Sequence, residues 1–143
     1  MRLIVDATPL VAQAERDHPL RLQAQRALVT EPVLPVLSPL TVAEVDYFLQ
    51  KIGGPHGNGG FLSDLAAGRY EIGHITSNDF AQIEVLNDKY RDLSVGIADL
   101  SIVVLAARYN TTRILTFDQR HFRLIQPLQG GAFTLLPFDE PPA

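Results

Sequence analysis

One apolar stretch organises this chain, and it reads Ile97-Ala98-Asp99-Leu100-Ser101-Ile102-Val103-Val104-Leu105-Ala106-Ala107. From Leu100 to Ala107 nearly every residue is apolar or small, and no glycine or proline interrupts the run. A helix that is apolar on all sides has no face for solvent, so we expect this one inside the domain. Asp99 stands at its start, where a buried carboxylate costs several kcal/mol unless it is paired, hydrogen-bonded or bound to a metal. The rest of the chain must therefore supply a partner for Asp99.

The composition indicates one globular domain. The chain has 143 residues, of which 46% are hydrophobic and 20% charged, a balance typical of folded rather than disordered proteins. No apolar run approaches the ~20 residues that cross a bilayer, and Asp6 comes too early for a signal peptide. Without cysteines, disulfides and thiolate metal sites are excluded, and we expect a cytoplasmic protein. The net charge of -4 argues against a broad basic face that binds nucleic acid, but it does not exclude an enzyme that binds nucleic acid at a small local site.

Short apolar segments alternate with helical patterns along the chain. We predict strands over residues 2–6, 33–37, 70–75, 112–117 and 132–136, and helices from residue 9 and over 19–29, 39–52, 61–67, 79–90 and 98–109. Gly53–Gly60 holds five glycines and a proline and is predicted to be a loop. The alternation predicts a three-layer α/β/α domain with a mostly parallel central sheet over residues 1–136. Prolines 137, 141 and 142 predict a C-terminal tail over 137–143.

Acidic side chains recur at the places where such a fold binds ligands. Each has a simple structural explanation by itself: a strand-end turn residue, a helix-start acid or a solvated helix residue. In a parallel fold, however, one edge of the sheet would collect them, and close carboxylates raise one another's pKa unless a divalent cation neutralises them. Oxygen ligands without cysteine or a suitably spaced histidine pair indicate Mg²⁺ or Mn²⁺, which on such clusters usually serves phosphodiester cleavage. The four residues are Asp6, Glu44, Asp99 and Asp118.

The segments around these acids resemble the successive acidic motifs of the PIN domain. They are Leu3–Leu10, Thr41–Val45, Gly96–Ser101 and Leu115–Phe122. Their order and spacing are similar to those of the VapC toxins of bacterial type II toxin–antitoxin systems, and the resemblance covers residues 2 to about 136. It implies a three-layer α/β/α sandwich and an Mg²⁺-dependent endoribonuclease, with Mn²⁺ as the other metal, that often cleaves transfer RNA or ribosomal RNA.

The resemblance also implies roles for individual residues and partners for the protein. Asp6 and Asp99 match the main metal ligands, while Glu44 and Asp118 complete the catalytic acids. The helical spacing of Glu44 and Asp46 does not by itself distinguish them, and only the resemblance favours Glu44. The family implies RNA as substrate, a cognate VapB-type antitoxin that neutralises the toxin, and a homodimer, with no membrane partner. The alternative function is a non-catalytic PIN-like module that binds RNA or protein.

Four residues near the acids are predicted to contact substrate. Thr8 and Thr116 match positions where the family often places a hydroxyl beside the acids. Arg120 and Arg123 belong to a basic patch that directly follows Asp118 and could hold the phosphates flanking the scissile bond. The alternative for this patch is a solvated loop. His121 lies in the same patch, but a lone histidine in a basic loop is more often incidental, so we leave it outside the predicted site.

Overall fold

The structure is a computed structural model in which residues 1–140 are described. Its elements are short and closely spaced. The strands are β1 (Ile4–Val5), β2 (Val36–Leu37), β3 (Glu71–Ile72), β4 (Arg113–Leu115) and β5 (Thr134–Leu136). The helices are α1 (Ala7–Ala12), α2 (Arg21–Thr30), α3 (Pro39–Gly53), α4 (Gly59–Ala66), α5 (Ser77–Lys89), α6 (Ile97–Arg108) and α7 (Gln119–Leu124), with a 3₁₀ turn at Arg91–Leu93 between α5 and α6.

All five strands are parallel and lie in the order β3-β2-β1-β4-β5. The chain first builds outward from β1 to β3, and then returns through α5 and α6 to place β4 on the other side of β1. Strands β1 and β4 are therefore neighbours, with Val5 in register with Leu115. Ligand sites of open parallel sheets form outside the carboxyl ends of strands at such a change of direction.

The sheet is buried on both faces, because successive residues of each central strand enter opposite halves of the core. Ile4 packs with one half and Val5 with the other, and the same alternation holds in β2, β4 and β5. Helices α5, α6 and α7 supply the first half, and α1 to α4 supply the second. This arrangement confirms the predicted three-layer α/β/α fold with a parallel sheet.

Helix α6 is buried along most of its length. Every residue from Leu100 to Ala106 is buried, as the apolar sequence predicted. The helix begins one residue earlier than predicted, at Ile97, because Gly96 has the extended backbone of an N-cap. Across residues 1–140, no helix combines the length and the apolarity needed to cross a membrane.

Some element boundaries differ from the sequence prediction. The strands are shorter, with only two or three residues each, and α1 begins at Ala7 because the Asp6 side chain caps it. The basic patch forms the short helix α7, which we did not predict. Its buried residue Phe122 explains why it folds against the core.

The predicted C-terminal tail lies partly outside the described residues, since 141–143 are not described. Within the described part, Asp139 forms an ion pair with Arg123, and Glu140 forms one with Arg113. The division of the chain at residue 136 stays a prediction.

A buried pair of serine hydroxyls joins α3 to α6. Ser38 caps α3 by accepting a hydrogen bond from Leu40 N at 3.1 Å, and its Oγ lies 2.6 Å from Ser101 Oγ. Ser101 in turn donates to the carbonyl of Ala98 at 2.6 Å. Because Ser101 already donates to this carbonyl, Ser38 must donate to Ser101. The relay fixes the first turn of α6, which carries Asp99, against the start of α3.

We expect Ser101→Ala to lower the free energy of unfolding by about 1–3 kcal/mol, because it leaves the fully buried Ser38 hydroxyl without its acceptor. Chemical denaturation monitored by circular dichroism measures the change. Ser63→Ala on the exposed side of α4 is the matched control and should stay within about 0.5 kcal/mol of the wild type. A Ser101→Ala protein as stable as this control would contradict the role of the relay.

Candidate active site

The structure brings all four predicted acids to the carboxyl ends of β1 and β4. Asp6 directly follows β1, and Asp118 follows β4 after a short connection. Asp99 lies in the first turn of α6, where the helix dipole favours a negative charge. Glu44 lies on α3, close enough for the charge of Asp6 to raise its pKa. Four separate elements therefore hold one acidic cluster.

Asp6 is buried and held at both carboxylate oxygens. Its Oδ1 accepts a hydrogen bond from Ala7 N at 2.8 Å and so caps α1. Its Oδ2 accepts one from the Thr116 hydroxyl at 2.7 Å. The same hydroxyl accepts a hydrogen bond from Asp118 N at 2.9 Å. Thr116 thus connects the acid that follows β1 to the acid that follows β4, and it fixes the geometry of the pair.

Asp118 contacts one residue of α7, His121, through both of its carboxylate oxygens. Its Oδ1 accepts a hydrogen bond from His121 N at 3.0 Å, which makes Asp118 the N-cap of this helix. Its Oδ2 lies 2.8 Å from His121 Nδ1, and the same nitrogen lies 3.6 Å from Asp99 Oδ2. His121 therefore belongs to the cluster, although sequence reasoning left it out. The signal that could have found it is its position three residues after a capping acid, where a helix turns the side chain back toward its cap.

The electrostatics of the cluster follow from burial and like charge. Burial, followed by the charges of Asp6, Asp118 and Glu44, raises the pKa of Asp99 from 3.8 to about 8. Burial also raises the pKa of Asp6, despite the opposing hydrogen bonds from Thr116 and Ala7. Burial, with the Asp6 charge second, raises the pKa of Glu44. Such a cluster is poorly stabilised when fully ionised and calls for a compensating positive charge.

The structure separates Glu44 from Asp46. The Asp46 carboxylate accepts hydrogen bonds from Gln50 Nε2 at 2.8 Å and from Asn58 Nδ2 at 2.5 Å. It therefore anchors the glycine-rich connection after α3 and does not join the acids. Glu44 is the acid on α3 whose pKa responds to Asp6.

The donor atoms of the cluster fit a divalent cation. One oxygen each of Asp99 and Asp118 and a ring nitrogen of His121 lie within 4.8 Å of one another. Both oxygens of Asp6, the other predicted metal ligand, hold hydrogen bonds, yet a carboxylate oxygen has a further lone pair for a metal. The imidazole of His121 faces the same space, so the candidate donors include a nitrogen beside the oxygens that the sequence predicted.

The predicted substrate-contacting residues are placed differently from one another. Thr8 is exposed, and its hydroxyl accepts a hydrogen bond from Phe117 N at 3.1 Å. Thr116 is fully buried, so the structure gives it a positioning role toward Asp6 in place of the predicted contact with substrate. Arg120 is exposed on α7 and forms no ion pair within residues 1–140. Arg123 binds both oxygens of Asp139, at 2.6 and 2.7 Å, so a phosphate would have to compete with that carboxylate.

We expect the metal-free protein to lose stability as the pH rises from about 4 to about 8. The pKa of Asp99 is raised in the fold, so its stabilising contribution is complete below the ordinary pKa and is lost as the pH passes the raised value. Asp99→Asn removes this ionisation, and at pH 8 with chelator it should raise Tm by about 3 °C or more, equivalent to about 1 kcal/mol. Thermal melts at pH 6 and pH 8 check this. An unchanged or lower Tm for Asp99→Asn at pH 8 would contradict the strained charge cluster.

Comparisons with known proteins agree with this fold. Residues 3–126 match the model of the PIN domain family. Over 135 residues the chain is 35% identical to Ribonuclease VapC26 of Mycobacterium tuberculosis, covering 94% of this chain and 100% of that protein. The crystal structure of M. tuberculosis VapC20, described as a Sarcin-Ricin loop cleaving toxin, has the same fold with a TM-score of 0.75 at 14% identity, over 82% of this chain and 91% of that one.

A toxin–antitoxin complex from Klebsiella pneumoniae also contains this fold, with a TM-score of 0.64 and 19% identity over 86% of this chain and 92% of that one. The family match spans most of the chain, and the identity to VapC26 extends over nearly all of it. The chain therefore belongs to the PIN domain family, and to its VapC members.

Proposed function

We propose that this protein is a toxic, Mg²⁺-dependent endoribonuclease that cuts transfer RNA or ribosomal RNA and is neutralised by a cognate antitoxin. One observation carries the proposal: four carboxylates from four elements converge where β1 and β4 end, and burial, together with the charges of the other three acids, raises the pKa of Asp99 to about 8. A cluster that is unstable without positive charge is suited to hold divalent cations. The name of the 35% identical relative, a ribonuclease, supports RNA as the substrate.

The proposed roles of the acids are those that the PIN family implies, and the contacts of these acids are compatible with them. Asp6 and Asp99 are the proposed metal ligands, with Glu44 and Asp118 as the acids that complete the catalytic set. Thr116 keeps Asp6 and Asp118 in a fixed relation through its single hydroxyl. The buried helix α6 keeps Asp99 from moving away from Asp6. Preorganisation of this kind avoids reorganisation of the site during the reaction.

When bound, a divalent cation supplies an activated water and offsets the charge that develops on the attacked phosphate; Mg²⁺ is the proposed ion, and Mn²⁺ is the alternative. The chain's own contribution is to orient the carboxylates and to exclude bulk water from Asp6, which is 3% exposed. Thr8 and Arg120 are both exposed and are proposed to contact the RNA. The Thr8 hydroxyl accepts a hydrogen bond from Phe117 N, one residue before Asp118, and Arg120 comes two residues after Asp118. Arg123 is proposed to do so after release from Asp139.

The proposed partners are a VapB-type antitoxin and a second copy of the chain. The complex from K. pneumoniae supports an antitoxin for this class of fold. Exposed apolar side chains on α3 and α4, namely Tyr47, Phe48, Ile52 and Leu62, provide surface that such partners would cover.

Light scattering of the purified chain, which should give the mass of a dimer, tests the homodimer. The cytoplasmic location stays a prediction.

We expect Asp99→Asn to reduce RNA cleavage by about a hundredfold or more, because it removes a metal ligand while leaving the shape of the buried side chain nearly unchanged. Growth arrest on induction in cells should disappear with it. Cleavage of total cellular RNA in the presence of Mg²⁺, followed on gels, provides the measurement.

Asp88→Asn is the matched control, since it removes an exposed carboxylate at the end of α5, outside the cluster. It should cleave RNA as fast as the wild type. Full cleavage by Asp99→Asn at equal Mg²⁺ would overturn the proposed site. Absence of cleavage by the wild type, together with no heat on Mg²⁺ titration, would favour the alternative function, a PIN-like module that binds without cutting.

The RNA target and the cleavage position follow from a separate experiment. We expect sequencing of RNA 5′ ends after brief induction to show a small number of sites in transfer RNA or ribosomal RNA, all absent with Asp99→Asn. Cuts spread evenly over messenger RNA would contradict the proposed substrate class.

A further inference from the structure

The imidazole of His121 is fixed by a backbone carbonyl. Its Nε2 lies 3.0 Å from the carbonyl oxygen of Leu93, at the end of the 3₁₀ turn that precedes α6. The next residue, Ser94, has a left-handed backbone with φ of 53°, which ends that turn. His121 therefore links α7 to the segment leading into the helix of Asp99.

This contact determines which ring nitrogen carries the hydrogen. A carbonyl oxygen can only accept a hydrogen bond, so Nε2 must be the donor. In the neutral ring, the lone pair is then on Nδ1. A backbone carbonyl that accepts from the far nitrogen is the usual arrangement behind a histidine that binds a metal through its other nitrogen.

The Nδ1 atom faces the acids but has no hydrogen bond. It is buried, and no partner within residues 1–140 satisfies it. Asp118 Oδ2 is only 2.8 Å away, yet it forms no hydrogen bond with this nitrogen. Two lone-pair-bearing atoms at this distance repel each other unless a positive charge lies beside both.

The distances within this group match those between neighbouring ligands of one ion. Nδ1 is 2.8 Å from Asp118 Oδ2 and 3.6 Å from Asp99 Oδ2. Ligands at right angles around an octahedral ion, each about 2.1 Å from it, lie about 3.0 Å apart. The observed spacings lie on either side of this value, so all three atoms can reach one cation with small side-chain adjustments.

We propose that His121 Nδ1 is a direct ligand of the divalent cation, together with Asp99 and Asp118, and that it biases the site toward Mn²⁺ over Mg²⁺. The inference rests on the proposed metal-dependent function. Mg²⁺ takes oxygen ligands almost exclusively, whereas an imidazole nitrogen is better accepted by ions later in the first transition row. A mixed set of two carboxylates and one imidazole therefore separates the two ions more than carboxylates alone would.

The test uses the full chain labelled with ¹⁵N only in histidine, loaded with Mn²⁺ alone and measured by pulsed electron paramagnetic resonance. A directly bound imidazole gives a ¹⁵N hyperfine coupling to the Mn²⁺ spin. We expect this coupling in the wild type and its loss in His121→Gln. Glutamine keeps an amide donor near Leu93 O but has no group in the place of Nδ1.

Calorimetric titrations with Mn²⁺ and with Mg²⁺ give a second, independent measurement. We expect His121→Gln to weaken Mn²⁺ binding by about tenfold or more and Mg²⁺ binding by no more than about threefold. His56→Gln and His74→Gln are the matched controls, because both histidines are exposed and lie on other segments. They should keep the hyperfine coupling and both affinities.

The outcomes distinguish this inference from the proposed function. Mn²⁺ binding by the wild type without ¹⁵N coupling would overturn the role of His121 and leave the metal-dependent nuclease intact. Coupling that persists in His121→Gln would also overturn it. If the wild type binds neither ion, both the inference and the proposed metal dependence fail. The wild-type spectrum decides even if His121→Gln folds poorly.

Discussion

Repulsion between like charges is the constraint on which the rest of this structure depends. Four carboxylates lie at one end of a sheet that is buried on both faces, and burial raises the pKa of three of them, Asp6, Glu44 and Asp99. Left free, such side chains would turn toward solvent and separate. The fold prevents this by fixing the backbone from which each one projects. The short strands β1 and β4, held in parallel register, give Asp6 and Thr116 adjacent positions.

The first turn of α6, which carries Asp99, has to be as rigid as the backbone at the ends of β1 and β4. An amphipathic helix on the surface could shift to relieve the repulsion on Asp99, but α6 is buried from Leu100 to Ala106 and has no room to move. The Ser38–Ser101 relay ties the same turn to α3, which carries Glu44. The apolar sequence that determines the fold therefore also determines the position of the acid. The packing of the core around α6 therefore also fixes the geometry of the site.

The sequence predicted the fold and three of the acids, Asp6, Asp99 and Asp118, from strong local patterns, whereas only the family resemblance favoured Glu44 over Asp46. The apolar run at 100–107 admits only a buried helix, and acids at the ends of predicted parallel strands must meet. Asp6 and Asp118 also show that helix capping, which explains each acid structurally, is compatible with a place in the acidic cluster. Each caps a helix with one oxygen and faces the cluster with the other. Capping fixes the rotamer, which is what a ligand requires.

Other features depend on contacts that a linear pattern does not contain. Helix α7 has six residues, too few for a periodic pattern to emerge. The choice between Glu44 and Asp46 depends on Asn58, which lies twelve residues away in the glycine-rich connection. The importance of His121 depends on Leu93, which is 28 residues away. Without α7 in the prediction, nothing placed the imidazole beside the acids, and the basic patch was interpreted only as a surface for phosphates.

The strain in the acidic cluster would contribute to the affinity of the proposed site for a cation. A cation that binds the folded chain and not the unfolded one stabilises the fold by an amount set by its affinity and concentration. Part of that affinity comes from removing the repulsion that destabilises the metal-free state at neutral pH. A neutral residue at position 99 would make the metal-free fold more stable and would also weaken the binding of the cation. On the proposed function, the aspartate at the buried start of α6 lowers the stability of the metal-free fold and provides a ligand for the cation.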